Sequence, residues 1–305
     1  MNGKRVHGMA VFLTVVLIVL FSGGCNLHKH KGNERVYKIG YMICNSRQET
    51  LERFLPLTVY LSKRLGIKME AVPVDTVDFT REVENLDFTH TNSLLYIILN
   101  RFYGVKVLTA DRQGSLGYRS TGLIAVRADS EIRTIAELKG RTMVFGPMLS
   151  PMSYLIQYDL MLRAGVNPDD DLSFYTIPRG SYKHEKVIYS VMFGRYDAGA
   201  FALLDYERMV NSGRIDRKGF RIIAKGEPIP YCTFGYTQRV DESLADRFRK
   251  ALLSIRPDTT VEIDGEVVKV LRRAHLDGFA PVSDSDYDPV REMARRTNMP
   301  PYQRY

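Results

Sequence analysis

The chain has 305 residues, 45% of them hydrophobic, and a formal net charge of +8 from 43 Lys and Arg against 35 Asp and Glu. That apolar share excludes a disordered polymer and is enough for one large or two medium cores. The basic excess is dispersed, with small clusters at 214–221, 247–250 and 295–296, so it favours solubility and a mild attraction to anionic solutes or membrane. Without a dense basic stripe, nucleic acid is not an expected partner.

Lys4 and Arg5 precede an apolar run over 8–21, and Ser22-Gly23-Gly24-Cys25 closes it. A basic start, a short apolar run and small residues describe a secretory signal. The run is short for a membrane span of about 20 residues. A cysteine after Gly-Gly resembles a bacterial lipobox, although Ser22 stands where a lipobox usually has Leu. The expectation is a signal over 1–24, removal before a lipidated Cys25, and a polar tether over 25–35. The alternatives are an ordinary cleaved signal or an uncleaved anchor. His28 and His30 on the tether are read as solvated, with no metal role. Cys44 and Cys232 are too few for a disulfide framework or a zinc cluster, and they either pair or stay as two buried thiols. No later apolar stretch is long enough to cross a membrane.

The body alternates strands and helices. Residues 36–43 read as a strand, 49–65 as a helix ended by Gly66, 67–74 as a strand and 79–86 as a short helix. A brief strand at 87–91, a helix at 93–103 and a strand at 105–110 follow. A second unit starts after Ser120. It has a strand at 122–127, a capping box from Thr134 to Glu137, and a strand at 142–145. Ser150 and Pro151 open a helix that Gly165 stops; a strand lies at 172–177. Ser181 caps a helix at 182–193, and 196–203 is a strand. The chain returns through strands at 220–224 and 231–236, a helix at 241–254, and tail helices at 265–275 and 287–297. The expected fold is therefore α/β with two lobes, each a mostly parallel sheet wound by helices, joined by two hinge crossovers. One lobe takes 36–119 and 228–305, and the other takes 120–227. A ligand cleft is expected between them.

Several segments carry a family likeness. They are YRSTGLIAVRADSEIRTIAELKGRTMVFG, LRAGVNPDDDLSF, GSYKHEKVIYSVMFGRYDAGA and, earlier, LPLTVYLSKRLGIKMEAVPV. With IPYCTFGY and LADRFRKALLSI they resemble the phosphate/phosphite/phosphonate-binding proteins of bacterial ABC importers, which have the type 2 periplasmic-binding fold. The likeness runs over about 37–281, and its most specific part is the H-E-K-V with D-A-G pairing. It implies an extracytoplasmic binding protein for a small anionic or zwitterionic solute, with an ABC permease as partner and no cofactor or metal.

The resemblance also places the ligand contacts. The family's Ser-Thr-Ser-Gly run corresponds here to Ser150-Pro151-Met152-Ser153, so only the first hydroxyl is kept in place and Pro151 has no N–H. That departure puts phosphonate itself in doubt, while a helix start still offers N–H donors to an anion. His184 matches the family histidine, and an imidazole there donates to an oxyanion. Tyr96 matches the aromatic of the first lobe; Asn92 and Ser93 at its helix start and Tyr41 near the end of the first strand are further candidates. Asp197 is read as structural and Asp205 as a weaker contact for a cationic group.

No G-x-S-x-G elbow, phosphate-binding G-x-x-x-x-G-K-[ST] loop or H-E-x-x-H pair occurs, so an enzyme is not expected. A ligand-sensing module that engages a membrane sensor kinase is the alternative, because it would use the same closure.

Overall fold

The computed structural model describes residues 35–304; the expected signal, the tether with its His28 and His30, and Cys25 lie outside the described residues. Strands β1 (Val36–Met42), β2 (Lys68–Val74), β3 (Phe88–Thr91) and β4 (Lys106–Arg112) alternate with helices α1 (Arg47–Leu65), α2 (Phe79–Glu82) and α3 (Ser93–Tyr103). A short strand β5 (Arg119–Ser120) leads out to β6 (Gly122–Arg127), β7 (Thr142–Val144), β8 (Phe174–Thr176), β9 (Ala198–Ala202) and β10 (Phe220–Lys225). Helices α4 (Ile156–Arg163), α5 (Pro168–Asp171), α6 (Lys183–Met192) and α7 (Leu203–Asn211) lie among them. The chain comes back through β11 (Ile229–Pro230) into β12 (Thr233–Tyr236), α8 (Glu242–Leu253), β13 (Thr260–Ile263), β14 (Glu266–Lys269), β15 (Gly278–Pro281) and α9 (Asp288–Arg296).

Two sheets result. The first has the order β15-β4-β12-β3-β1-β2 and the second β10-β6-β9-β7-β8. In the first, β1 to β4 run one way, while the returning strands β12 and β15 run against them. In the second, β6 alone opposes the other strands. Strand β12 wedges between β3 and β4, so the return of the chain completes the first sheet.

Period-two patterning explains the packing. Ile39 and Tyr41 point from β1 into a core with Phe54, Leu57, Phe88, Phe234 and Phe248. Phe88 and Phe248 stack with centroids 3.9 Å apart. Each such fully buried apolar side chain contributes about 1.5–3 kcal/mol. Helix α1 is framed by its ends: the Ser46 side chain accepts from the Glu49 N–H, and Gly66 sits at φ 68° beyond its last turn.

Three expectations are corrected. Residues 265–275 are not a helix: β13 and β14 form a hairpin, and Asp264 and Gly265 turn it with φ of 51° and 84°. An Asp-Gly pair between β-branched runs is the hairpin signal, and it outweighs the helical spacing of Val267, Val270 and Leu271. Helix α7, unassigned from sequence, buries Leu204, Tyr206 and Met209. Ser150 is not a side-chain cap, because the helix opens with a π-turn over Pro151–Leu155 and the Ser150 hydroxyl takes no backbone N–H.

Helix α9 joins the two lobes. Val290, Met293 and Ala294 are buried in one cluster with Leu94 and Ile97 of α3 and Ile156 and Met161 of α4. Arg296 donates to both oxygens of Asp159, at 2.6 and 3.1 Å, and Asp159 is only 2% exposed. Bidentate charge-assisted pairs of this kind fix geometry as well as energy. Asp159→Asn should therefore lower the unfolding free energy by about 1–3 kcal/mol, with partial solvent access to Arg296 keeping it from the upper extreme. Urea titration followed by far-UV circular dichroism checks this, and an unchanged midpoint would contradict it.

Beside β5, Arg119 donates to Asp286 at 2.5 Å. Hydrogen bonds from the Ser283 N–H and hydroxyl, then the Arg119 charge, hold the Asp286 carboxyl below its ordinary range. A lowered folded value means stability that is present above the unfolded value of about 3.9 and lost as pH falls through the folded one. Asp286→Asn should flatten the acid limb of the stability-versus-pH curve below about pH 4 relative to wild type. Thermal melts across pH 3–7 report it.

Candidate functional site

Open α/β sheets bind ligands beyond the carboxyl ends of their strands. Here both sheets turn those ends toward one cavity of about 580 Å³. Its walls come from 43–45 after β1, 75–77 after β2, 92–93 after β3, 147–152 after β7 and 231–232 before β12. A larger hollow of about 1390 Å³ lies between α1 and the β13–β14 hairpin, within one lobe and away from these strand ends.

Asn92 begins α3. Its Oδ1 accepts from the Leu95 N–H at 2.9 Å, and its Nδ2 donates across the cavity to the Leu149 carbonyl at 3.0 Å. The Ser93 hydroxyl donates to the Pro230 carbonyl at 2.6 Å, which pins the start of α3 to the returning crossover. Opposite, α6 begins at Tyr182, a non-glycine residue with φ 55°. Such left-handed backbone costs about 1–2 kcal/mol and persists only where the surroundings hold it. Asn45 supplies the hold: its Oδ1 accepts from the Tyr182 N–H, and its carbonyl accepts from the Ser181 hydroxyl, both at 3.0 Å. Ser181, expected as a helix cap, thus spans the cleft instead.

Lys183 and His184 follow at the first turn of α6, and both line the cavity. Among the described residues, no hydrogen bond or ion pair engages the Lys183 ammonium. His184 Nδ1 is buried without a hydrogen-bond partner and stands 3.9 Å from Asp205 Oδ2. Asp205 also lies 3.5 Å from Arg208. The α6 end of the cavity therefore offers a cation, an imidazole and helix N–H groups, with one carboxylate alongside. Helix N-termini favour anions, and Asp205 adds a place for a cationic group.

Of the expected contacts, Ser150, His184, Asn92 and Ser93 line the cavity, whereas Ser153, Tyr96 and Tyr41 do not. Ser153 is fully buried and its hydroxyl donates to Ser150 Oγ at 2.9 Å. Its carbonyl accepts the Gly146 N–H at 2.8 Å; a Cβ on Gly146 would fall 2.0 Å from Ser153 Oγ, so the Phe145-Gly146 turn needs glycine for close approach. Tyr96 packs on Tyr287 with ring centroids 4.5 Å apart, and its hydroxyl donates to Asp284 at 2.6 Å. Burial, then the Asp284 bond, raises its pKa far above the tyrosine range. Tyr41 stacks on Phe54 and shares a hydrogen bond with Thr58 at 2.9 Å inside the first lobe. Both tyrosines sit on strand or helix faces turned to a core, a choice that helical position alone does not settle. Asp197 accepts the Thr142 N–H and hydroxyl at 2.8 Å and is structural in that sense.

Sequence reading missed Asn45 and Lys183. Lys183 had a local signal, a cation beside His184 at a helix start; Asn45 had none for the cleft, because its partners there, Ser181 and Tyr182, are more than a hundred residues away. Cys44 and Cys232 are free thiols, and both line the cavity. Burial pushes the Cys232 thiol well above its ordinary value, and the neighbouring Asp111 and Cys44 act in the same direction.

The two hydrogen bonds that Asn45 accepts and the one that Asn92 donates join the lobes over the cavity. Asn45→Ala removes the side-chain bond to Tyr182 and should shift the empty protein toward an open form. Small-angle scattering should then show a larger radius of gyration for Asn45→Ala than for wild type without ligand; equal radii would argue against this latch.

The chain matches the family model described as "ABC transporter, phosphonate, periplasmic substrate-binding protein" over residues 39–287. It is similar to the tetrathionate sensor histidine kinase TtrS of Salmonella typhimurium, with 24% identity over 83% of this chain. The chain spans only 44% of the length of that relative. It is also similar to the phosphate-import protein PhnD of Mycolicibacterium smegmatis, with 23% identity over 78% of each chain. Among solved structures it shares its fold with PhnD1 of Prochlorococcus marinus in complex with methylphosphonate, at a TM-score of 0.70 and 16% identity, covering 87% of this chain and 99% of that one. Two sheets that face one cavity, and a family match over nearly all the described residues, place this chain among the phosphonate-binding periplasmic substrate-binding proteins of ABC transporters.

Proposed function

We propose that this chain captures a small oxyanion or zwitterion of the phosphate and phosphonate class in its interlobe cavity and delivers it to a membrane permease. The observation that carries the reading is the convergence of Lys183, His184 and the α6 N-terminus on the cavity, opposite Asn92 and with Ser150 on the wall. Lobe 36–119 with 228–305 closes on lobe 120–227, and the Asn45 and Asn92 bonds stabilise the closed form. Asp205 favours a ligand that also bears a cationic group, such as an aminoalkyl phosphonate. Among the described residues no helix is long and apolar enough to cross a membrane. Membrane attachment is assigned to lipidation of Cys25 after removal of 1–24, with 25–35 as tether.

A second reading has its own support. Similarity to a tetrathionate sensor kinase over most of the chain favours a module that reports its bound ligand to a kinase. Closure serves both outputs, and binding to an isolated permease against a kinase distinguishes them.

Charge-assisted hydrogen bonds each contribute about 1.5–3 kcal/mol, so Lys183→Ala or His184→Ala should weaken binding roughly 10- to 100-fold. Calorimetry with methylphosphonate, inorganic phosphate, an aminoalkyl phosphonate and tetrathionate identifies the ligand class and measures the loss. Wild-type affinity in both variants would remove the α6 end from the site.

A further inference from the structure

The carboxyl edge of the first sheet gathers three side chains that no anion contact uses. His90 comes from β3, Asp111 from β4, and Cys232 directly precedes β12, the strand between those two. The Asp111 N–H donates to the Cys232 carbonyl at 2.8 Å, which sets Cys232 beside Asp111. His90 pairs with Phe234 in the ladder, and their rings lie 4.6 Å apart. One ligand atom from each of His90, Asp111 and Cys232 lies within 4.8 Å of the other two.

His90 and Asp111 are 4% and 2% exposed, and Cys232 lines the interlobe cavity. His90 Nε2 and Asp111 Oδ2 are 2.9 Å apart, but Asp111 Oδ1 is buried with no hydrogen-bond partner. A buried carboxylate oxygen without a partner is costly and points to a group that completes it. Imidazole nitrogen, thiolate sulfur and carboxylate oxygen together are a zinc-type donor set; magnesium and calcium take oxygen donors instead. With metal–ligand distances of about 2.0–2.3 Å, the three atoms need to move by roughly an ångström or less. Arg53 is the nearby opposing charge. It is held by a bond to the Ala274 carbonyl at 3.3 Å and by the Phe54 ring.

We propose that His90, Asp111 and Cys232 form a three-ligand site for a zinc-class transition-metal ion, with its remaining coordination position opening into the interlobe cavity. Coordination converts the Cys232 thiol to thiolate and displaces the proton shared by His90 and Asp111, the freed protons pass to solvent or to the other ring nitrogen of His90, and no oxidation state changes. An ion there would present a Lewis acid to an oxygen of the captured solute. The site stands on its own residues, so its failure would leave the α6 contacts untouched.

The test uses the full chain without an affinity tag, carrying His28→Ala and His30→Ala so that the tether contributes no imidazole. After chelator treatment, Zn²⁺ is added and free ion removed by gel filtration. Elemental mass spectrometry should then find about one zinc per chain, falling at least tenfold in retention for Cys232→Ser and for His90→Gln but not for Cys44→Ser. Iodoacetamide mapping on the unsubstituted site gives a measurement independent of variant folding. Zn²⁺ should protect Cys232 from alkylation while Cys44 reacts at an unchanged rate. Absence of retained zinc, retention undiminished in folded Cys232→Ser, or alkylation of Cys232 at the same rate with and without Zn²⁺ would each overturn the proposal.

Discussion

The pairing of β5 with β11 governs how the rest of the molecule is used. Ser120 faces Ile229 and Arg119 faces Pro230, so the outgoing and returning crossovers run side by side as one antiparallel ribbon. Two separate linkers would let the sheets tilt and twist independently. A single hydrogen-bonded ribbon restricts them to motion about one axis, the usual basis of hinge closure. The ribbon is tied on both strands at one end: Arg119 to Asp286, and the Pro230 carbonyl to the Ser93 hydroxyl. The second tie matters most for the site, since it fixes the start of α3 relative to the hinge.

Once the sheets are so joined, the cavity follows from strand polarity. Strands β1 to β3 of one lobe and β7 to β9 of the other all end toward it, and helices that leave parallel strands begin there. Their first turns carry unpaired N–H groups, which is where an anion is stabilised without any dedicated catalytic group. The polar residues that line it are thus consequences of position, and their identities tune what is held. Lys183 supplies positive charge and His184 an imidazole at α6, Asp205 supplies the opposite sign, and Cys44 and Cys232 make one wall soft. Pro151 removes one N–H from the opposing helix start, and the π-turn over Pro151–Leu155 redirects the Ser150 hydroxyl to Ser153. Fewer donors therefore face the cavity from the Ser150 side than from α6.

The seam between the lobes carries backbone strain in one place. Tyr182 adopts left-handed backbone, and the two Asn45 contacts are what hold it. Strain placed at the seam between lobes makes this backbone conditional on those contacts. Helix α9 limits the motion from the other side, because the Asp159–Arg296 pair and a shared apolar cluster join it to both lobes.

Most of the alternation of strands and helices, and the start of α3 at Asn92, were legible in the sequence, whereas α7 and the side-chain caps expected at Ser150 and Ser181 were not. What was legible rests on local periodicity or on residues within a few positions of one another. The Asp264-Gly265 hairpin was equally local, and there the turn chemistry outranked the apolar spacing read as a helix. What the sequence could not decide was which way a residue faces when both faces are apolar. Tyr41 and Tyr96 could point to a core or to a cleft, and only packing against Phe54 and Tyr287 chose the core. The insertion of β12 between β3 and β4 was likewise non-local, and it alone brings Cys232 beside His90 and Asp111. Asn45 reaches Tyr182 across 137 positions of chain, a contact that no spacing rule encodes. Local chemistry determined most of the elements; the tertiary structure decided which side chains meet, the partners of Ser150 and Ser181 included, because meeting depends on strand order and on how the lobes face each other.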